Sequence, residues 1–211
     1  MLSKITSQRI IPERFSLDCS VEQAEALLTG CYMAEVQLRG REFDKDTQTV
    51  NNIRRLAEWI TNKKDPRFGV MFCGGVGSGK TTMMWALADA INYMCADEAG
   101  EFKELYHTLY IVDAAKADMS KANTIMLGID DLGTEAVEVQ NYGNVTTPII
   151  DLLTSRYQRH YFTCITTNLA PADMRERYGA RIADRFNEMF LPIGFTRDTY
   201  RSPVEINAKL K

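Results

Sequence analysis

The stretch FCGGVGSGKTT, residues 72–82, constrains this chain more than any other. Gly74, Gly79, Lys80 and Thr81 fill the pattern G-x-x-x-x-G-K-[ST], which arises by chance in about one chain in a hundred of this length. Before it, GVMFC (69–73) is an apolar run of strand length. After it, Met84, Leu87, Ala88, Ile91 and Cys95 recur at helical spacing. Strand, glycine loop and helix thus follow one another in the order a phosphate cradle requires. Glycines let backbone N–H groups turn inward where a Cβ would clash, and the N-terminus of the next helix adds partial positive charge. The loop of Gly74, Gly75, Val76, Gly77, Ser78 and Gly79, with Thr82 beside it, is therefore expected to wrap the phosphates of a nucleotide. Lys80 is expected to reach the β- and γ-phosphates and the Thr81 hydroxyl to ligate Mg²⁺.

Ahead of this unit, residues 1–66 read as a helical extension, and 67–211 as the core. Val21, Ala24, Leu27, Leu28, Cys31 and Tyr32 share one helical face, and Val50, Ile53, Leu56, Ala57 and Ile60 another. Both read as packing faces. A polar stretch, TNKKDPR (61–67), separates them from the loop strand. Beyond the loop helix, strand-like apolar runs recur at 108–112 (TLYIV), 125–129 (IMLGI), 161–166 (YFTCIT) and 190–195 (FLPIGF). A helix is expected over 145–157, with Ile149, Ile150, Leu153 and Tyr157 on one side. Apolar strands alternating with helices predict an α/β fold, a five-stranded parallel sheet covered on both faces. Pro192 suits a strand at the sheet edge.

Ligands of such sheets bind beyond the carboxyl ends of the strands, so the polar residues there carry the chemistry. IMLGI ends in Asp130 and Asp131. Paired carboxylates at the end of a buried strand are expensive unless a metal or a reacting water uses them. Asp130 is placed to hold Mg²⁺ opposite Thr81, and Asp131 to polarise a water for attack on the γ-phosphate, with Glu135 as a second candidate for that role. An acidic surface turn is the plain alternative. The next strand ends in ITTN, where Asn168 can bridge water and γ-phosphate without adding negative charge, or simply cap the following helix. GARIADRF puts Arg181 and Arg185 four apart on one helical face, and DTYRS places Arg201 past the last strand. Surface arginines are mostly solvated, yet fixed bidentate charge is what a phosphoryl-transfer transition state needs.

Composition narrows the class. The 211 residues are 45% hydrophobic, enough for a real core. No apolar stretch approaches a membrane span and the first residues lack the apolar centre of a signal peptide, so a cytoplasmic protein without membrane contact is expected. Five widely spaced cysteines and two histidines argue against a zinc site or a disulfide framework. The net charge of −3 gives no global field for nucleic acid, so any DNA contact has to come from a local patch or from several subunits together.

With loop, DD, TTN, R-I-A-D-R and T-Y-R-S in order, the chain resembles the bacterial replicative helicase loaders and the similar ATPase helpers of transposition, within the AAA+ class. The likeness begins at IIPERF (10–15), which is similar to the I-P-x-R-F segment of those proteins. It implies ATP with Mg²⁺ as cofactor, ATP hydrolysis, a homo-oligomer, and a replicative helicase or transposase as partner, with single-stranded DNA as a candidate ligand. It implies that Lys80 and Thr81 bind phosphate and Mg²⁺, that Asp130 binds Mg²⁺, that Asp131 is the catalytic carboxylate and that Asn168 senses the γ-phosphate. Arg185 matches an arginine finger acting on a neighbour's nucleotide, with Arg181 beside it. Arg201 matches an arginine contacting nucleotide in its own subunit, and residues 11–15 are implied to lie near the adenine. The short stretch 114–123 stands where the family carries a longer helical excursion associated with single-stranded DNA. Two other readings remain: a small-molecule or nucleoside kinase, and an ATP-dependent adaptor with negligible turnover. GTPases, which read guanine through N-K-x-D, are set aside as lacking that motif.

Overall fold

The computed structural model describes residues 14–96, 109–115, 126–141, 144–196 and 199–200. Helices α1 (Val21–Leu38) and α2 (Thr47–Thr61) lead into strand β1 (Gly69–Gly74) and helix α3 (Lys80–Cys95). Strands β2 (Leu109–Asp113) and β3 (Met126–Leu132) follow, then a short hairpin of β4 (Val139–Asn141) and β5 (Asn144–Thr146). Helix α4 (Pro148–Arg159), strand β6 (Thr163–Thr167), helices α5 (Pro171–Tyr178) and α6 (Ala180–Met189) and strand β7 (Phe190–Phe195) complete the described elements.

Local chemistry fixes several of these boundaries. Ser20 caps α1, its hydroxyl accepting the Gln23 N–H while the Gln23 side chain accepts the Ser20 N–H. Asp46 caps α2 by accepting the Thr49 N–H at 3.0 Å. Helix α4 starts three residues later than the sequence predicts, because Pro148 occupies its first turn and disfavours helical backbone in the residue before it; residues 144–146 pair in the hairpin instead.

The five long strands are all parallel, in the order β2-β3-β6-β1-β7. Strand β7, with Pro192, lies at the edge as expected. One face of the sheet packs Val70, Phe72, Cys164 and Ile193 against the apolar sides of α1, α2 and α3. The other packs Leu127, Ile129 and Ile165 against α4, α5 and α6. Arg156 of α4 is wholly buried and staples that helix to the sheet, donating to the Thr163 hydroxyl at 2.8 Å and to the Phe162 carbonyl at 2.5 Å. Helices α1 and α2 thus share one apolar cluster with the strands that follow them. The parallel register brings the carboxyl ends of three strands level: Cys73 of β1 and Leu132 of β3 both pair with Thr167 of β6. All five cysteines are free, and no helix among the described residues is long and apolar enough to cross a membrane.

Candidate functional site

Gly74 ends β1 and the glycine loop turns from it into α3. A Cβ on Gly74 would run into the Phe195 carbonyl of the neighbouring edge strand. Gly79, immediately before α3, has φ +101, where an L side chain is strained, and a Cβ there would lie 2.9 Å from the Tyr32 hydroxyl. Ser78 closes the loop internally, its hydroxyl donating to the Gly75 carbonyl at 2.8 Å. Lys80 is only 5% exposed, and its ammonium donates to the Gly74 and Gly75 carbonyls at 2.9 and 2.6 Å. Two of its partners are thus neutral carbonyls of the loop itself, and an anionic phosphate is a stronger acceptor than either.

Opposite the loop, the Thr81 hydroxyl donates to Asp130 Oδ1 at 2.9 Å, and Thr166 from β6 donates to the same oxygen at 2.6 Å. A hydroxyl and a carboxylate this close, both hard oxygen donors, fit Mg²⁺, which takes one or two protein oxygens and completes its shell with phosphates and water. Asp131 breaks the strand register: its φ is +54, its N–H donates to the Thr166 hydroxyl at 2.8 Å, and its side chain is exposed. Asn168, also exposed, follows the last residue of β6. It does not cap α5, whose N-cap is Ala170.

A cavity of about 450 Å³ opens in front of these groups. Val76, Gly77, Ser78, Gly79, Lys80, Thr81 and Thr82 line one side, and Asp130, Asp131 and Asn168 the floor. The structure thus gathers most of the candidate residues around a single space. The far wall was not singled out from the sequence. It comes from Tyr32 and Val36 of α1, the α1–α2 connection (Arg39, Arg41, Glu42, Phe43, Asp44) and Tyr200. Tyr200 is held there by its N–H to the Gly77 carbonyl at 3.0 Å and its hydroxyl to Asp46 at 2.6 Å. The available signal was Tyr32 at the end of an otherwise aliphatic helical face.

Other candidates lie elsewhere. Glu135 is 6% exposed, does not line the cavity, and accepts bonds from the Tyr178 hydroxyl at 2.5 Å and the Gly133 N–H at 2.8 Å. Arg185 does not line its own chain's cavity; it donates to the Thr154 hydroxyl at 3.0 Å and sits over the Tyr157 ring. Arg181 is exposed on the same helix. Arg201 lies outside the described residues, as do 11–13 of the segment placed near the adenine. The two described residues of that segment are at the other end of α2 from Asp46. The Arg14 guanidinium donates to the Trp59 and Asn62 carbonyls, and Phe15 packs edge-on to Phe162. A 15-residue helix is about 22 Å long, so these two side chains are not base contacts of this cavity.

Residues 62–65, NKKD, do match the N-K-x-D pattern taken above to be missing. They form no base-reading site. Asn62 ends α2, Lys63 pairs with Asp18 and Asp65 with Arg67, all ahead of β1 and so at the opposite end of that strand from the loop.

No protein-family profile matches the sequence, and no curated protein does. Solved structures do match. The DnaC helicase loader superimposes over 72% of this chain and 93% of its own, with a TM-score of 0.52 at 22% identity. DnaI superimposes over 75% and 88%, with a TM-score of 0.55 at 18% identity. The chain shares their fold. Its five-stranded parallel sheet, with the glycine loop after β1 and helices on both faces, is the α/β architecture expected from the sequence.

Proposed function

We propose that the chain is a Mg²⁺-dependent, ATP-hydrolysing AAA+ protein that assists DNA replication by helicase loading, or transposition, through ATP-dependent assembly on DNA or a partner protein. The observation that carries the reading is the pairing of Thr81 with Asp130 at 2.9 Å beside the buried Lys80, in one cavity with Asp131 and Asn168. Lys80 and the inward N–H groups of the loop bind and orient the phosphates. Thr81 and Asp130 would hold Mg²⁺, which when bound neutralises charge on the phosphate oxygens. Asp131, exposed and lining the same cavity as Asn168, would accept a proton from a water that Asn168 orients.

The shared fold of a helicase loader supports a replicative helicase as partner, and the resemblance to the ATPase helpers of transposition keeps a transposase beside it. Arg181 and Arg185 lie away from their own cavity, which supports a homo-oligomer in which they act on a neighbour's nucleotide. The protein is expected to work in the cytoplasm. Asp131→Asn tests the chemistry, since the amide still hydrogen-bonds a water but accepts no proton. It should bind ATP like the parent and lose hydrolysis, read as labelled phosphate released to water. Undiminished release by Asp131→Asn, or transfer of label from the parent protein to a small-molecule acceptor, would contradict the reading, the latter in favour of a kinase.

A further inference from the structure

Glu135 is a buried carboxylate that touches neither the cavity nor the loop, and its surroundings are unusually well matched. Its two oxygens accept from Gly133 N–H at 2.8 Å and Tyr178 Oη at 2.5 Å, Arg177 Nε lies 3.6 Å away, and the Arg177 guanidinium also donates to the Glu135 carbonyl. If packing were all that was required, an apolar side chain would serve as well or better, because desolvating a carboxylate is costly even when it is paired. What the charge joins is informative. On one side, residues 131–135 form a closed turn: the Thr134 N–H and hydroxyl both donate to the Asp131 carbonyl, at 3.2 and 2.8 Å. That turn is pressed on the β6–α5 connection, where Gly133 meets Leu169 so tightly that a Cβ would lie 2.8 Å from it. On the other side, Tyr178 is the last residue of α5, and Gly179 alone separates it from α6, the helix that carries Arg181 and Arg185. Burial, and then Glu135 itself, push the Tyr178 hydroxyl above its ordinary range, so it stays a proton donor.

We propose that Glu135 is a positioning residue: through Tyr178 it ties the turn that carries Asp131 to the arginine-bearing helix α6, so that the two move as one piece. The functional meaning of the tie rests on the ATPase reading above; the tie itself does not. Under that reading, whatever shifts Asp131 at the γ-phosphate of one subunit also shifts the arginines offered to the next.

Tyr178→Phe removes one hydroxyl and leaves the ring in place. In amide hydrogen exchange on the full chain without nucleotide, it should speed exchange at Gly133 and across α6 about ten-fold, the scale of a lost hydrogen bond to a charged group. Glu135→Gln should do the same, and amides of β1 and α3 should keep their parent rates. Unchanged exchange in both segments, or a uniform acceleration over the whole chain, overturns the tie whether or not the protein hydrolyses ATP. Calorimetry with ATP then separates the two claims, since a parent protein that binds no ATP defeats the ATPase reading and leaves exchange to decide the tie. Where ATP binds, each variant should keep Kd and KM within about two-fold, lower kcat about ten-fold, and be no worse combined than alone, as partners in one hydrogen bond are. A kcat abolished by Glu135→Gln but untouched by Tyr178→Phe would make Glu135 a reacting group. Parent kcat per ATP site with only a lowered Tm would make the contact purely structural. Either result overturns the positioning role.

Discussion

Lys80 sits at the point where the loop closes, its ammonium shared between two carbonyls of the segment it is meant to serve. Lys80→Ala should therefore lose the charge that meets the phosphates, costing on the order of 2–4 kcal/mol, or roughly 30- to 1000-fold in ATP affinity by calorimetry. Parent affinity in a folded variant would remove the lysine from the site. Cys73, one residue before the loop, makes a pH prediction. Burial disfavours its thiolate and outweighs the opposing effect of Lys80, pushing the thiol up to about 11. Below that pH the thiolate fraction rises ten-fold per unit, so maleimide labelling of the Cys73 peptide should be slow at neutral pH and climb toward pH 11; fast labelling at pH 7 would contradict the burial. At this scale the sequence was most legible where residues are adjacent along the chain. Lys80, Thr81 and Asp130 were readable because motif spacing and strand ends place them, whereas the buried partners of Glu135 were not, since Tyr178 lies 43 residues further on and only folding brings it near.

Strand β7 was legible to the residue, its edge position included, because Pro192 and a short apolar run leave little choice. Helix α4 was not, because the apolar period of 145–157 continues through Pro148, while the backbone there follows the proline and not the period. The placing of 11–15 at the base fails for Arg14 and Phe15 because an N-terminal segment can pack at either end of a helix, and here the carbonyls closing α2 accept the Arg14 guanidinium. The other end of α2 holds the site. Asp46 caps the helix, accepts from the Thr49 hydroxyl at 2.7 Å and holds Tyr200 against the cavity. Asp46→Ala should cost about 1–2 kcal/mol through the lost cap, lowering Tm by roughly 2–8 °C, and should weaken ATP binding as Tyr200 is released. Asp46→Asn should restore most of the cap. An unchanged Tm in Asp46→Ala would show that the cap contributes nothing to α2.

Across the whole molecule, alternating apolar strands and helices were enough to predict the parallel sheet and its two covered faces, but not the wall that α1 and the α1–α2 connection add to the cavity. The sheet leaves the cavity's phosphate end with Lys80 as the cation from the loop, while Arg185 is held on α6 against Thr154 and Tyr157. Beyond Lys80, Arg39 and Arg41 of the α1–α2 connection also line the cavity, and an arginine brought to the γ-phosphate in the transition state is worth about 10³ to 10⁵ in rate. We infer that Arg185 supplies this charge across a subunit boundary, so that hydrolysis depends on assembly. The most direct test mixes Arg185→Ala with Lys80→Ala, two variants expected to be inactive alone, one keeping the loop and the other the arginine. ATPase activity should recover in the mixture and rise with protein concentration. No recovery in proven mixed assemblies, or full activity of the parent protein as a dilute monomer, would contradict it.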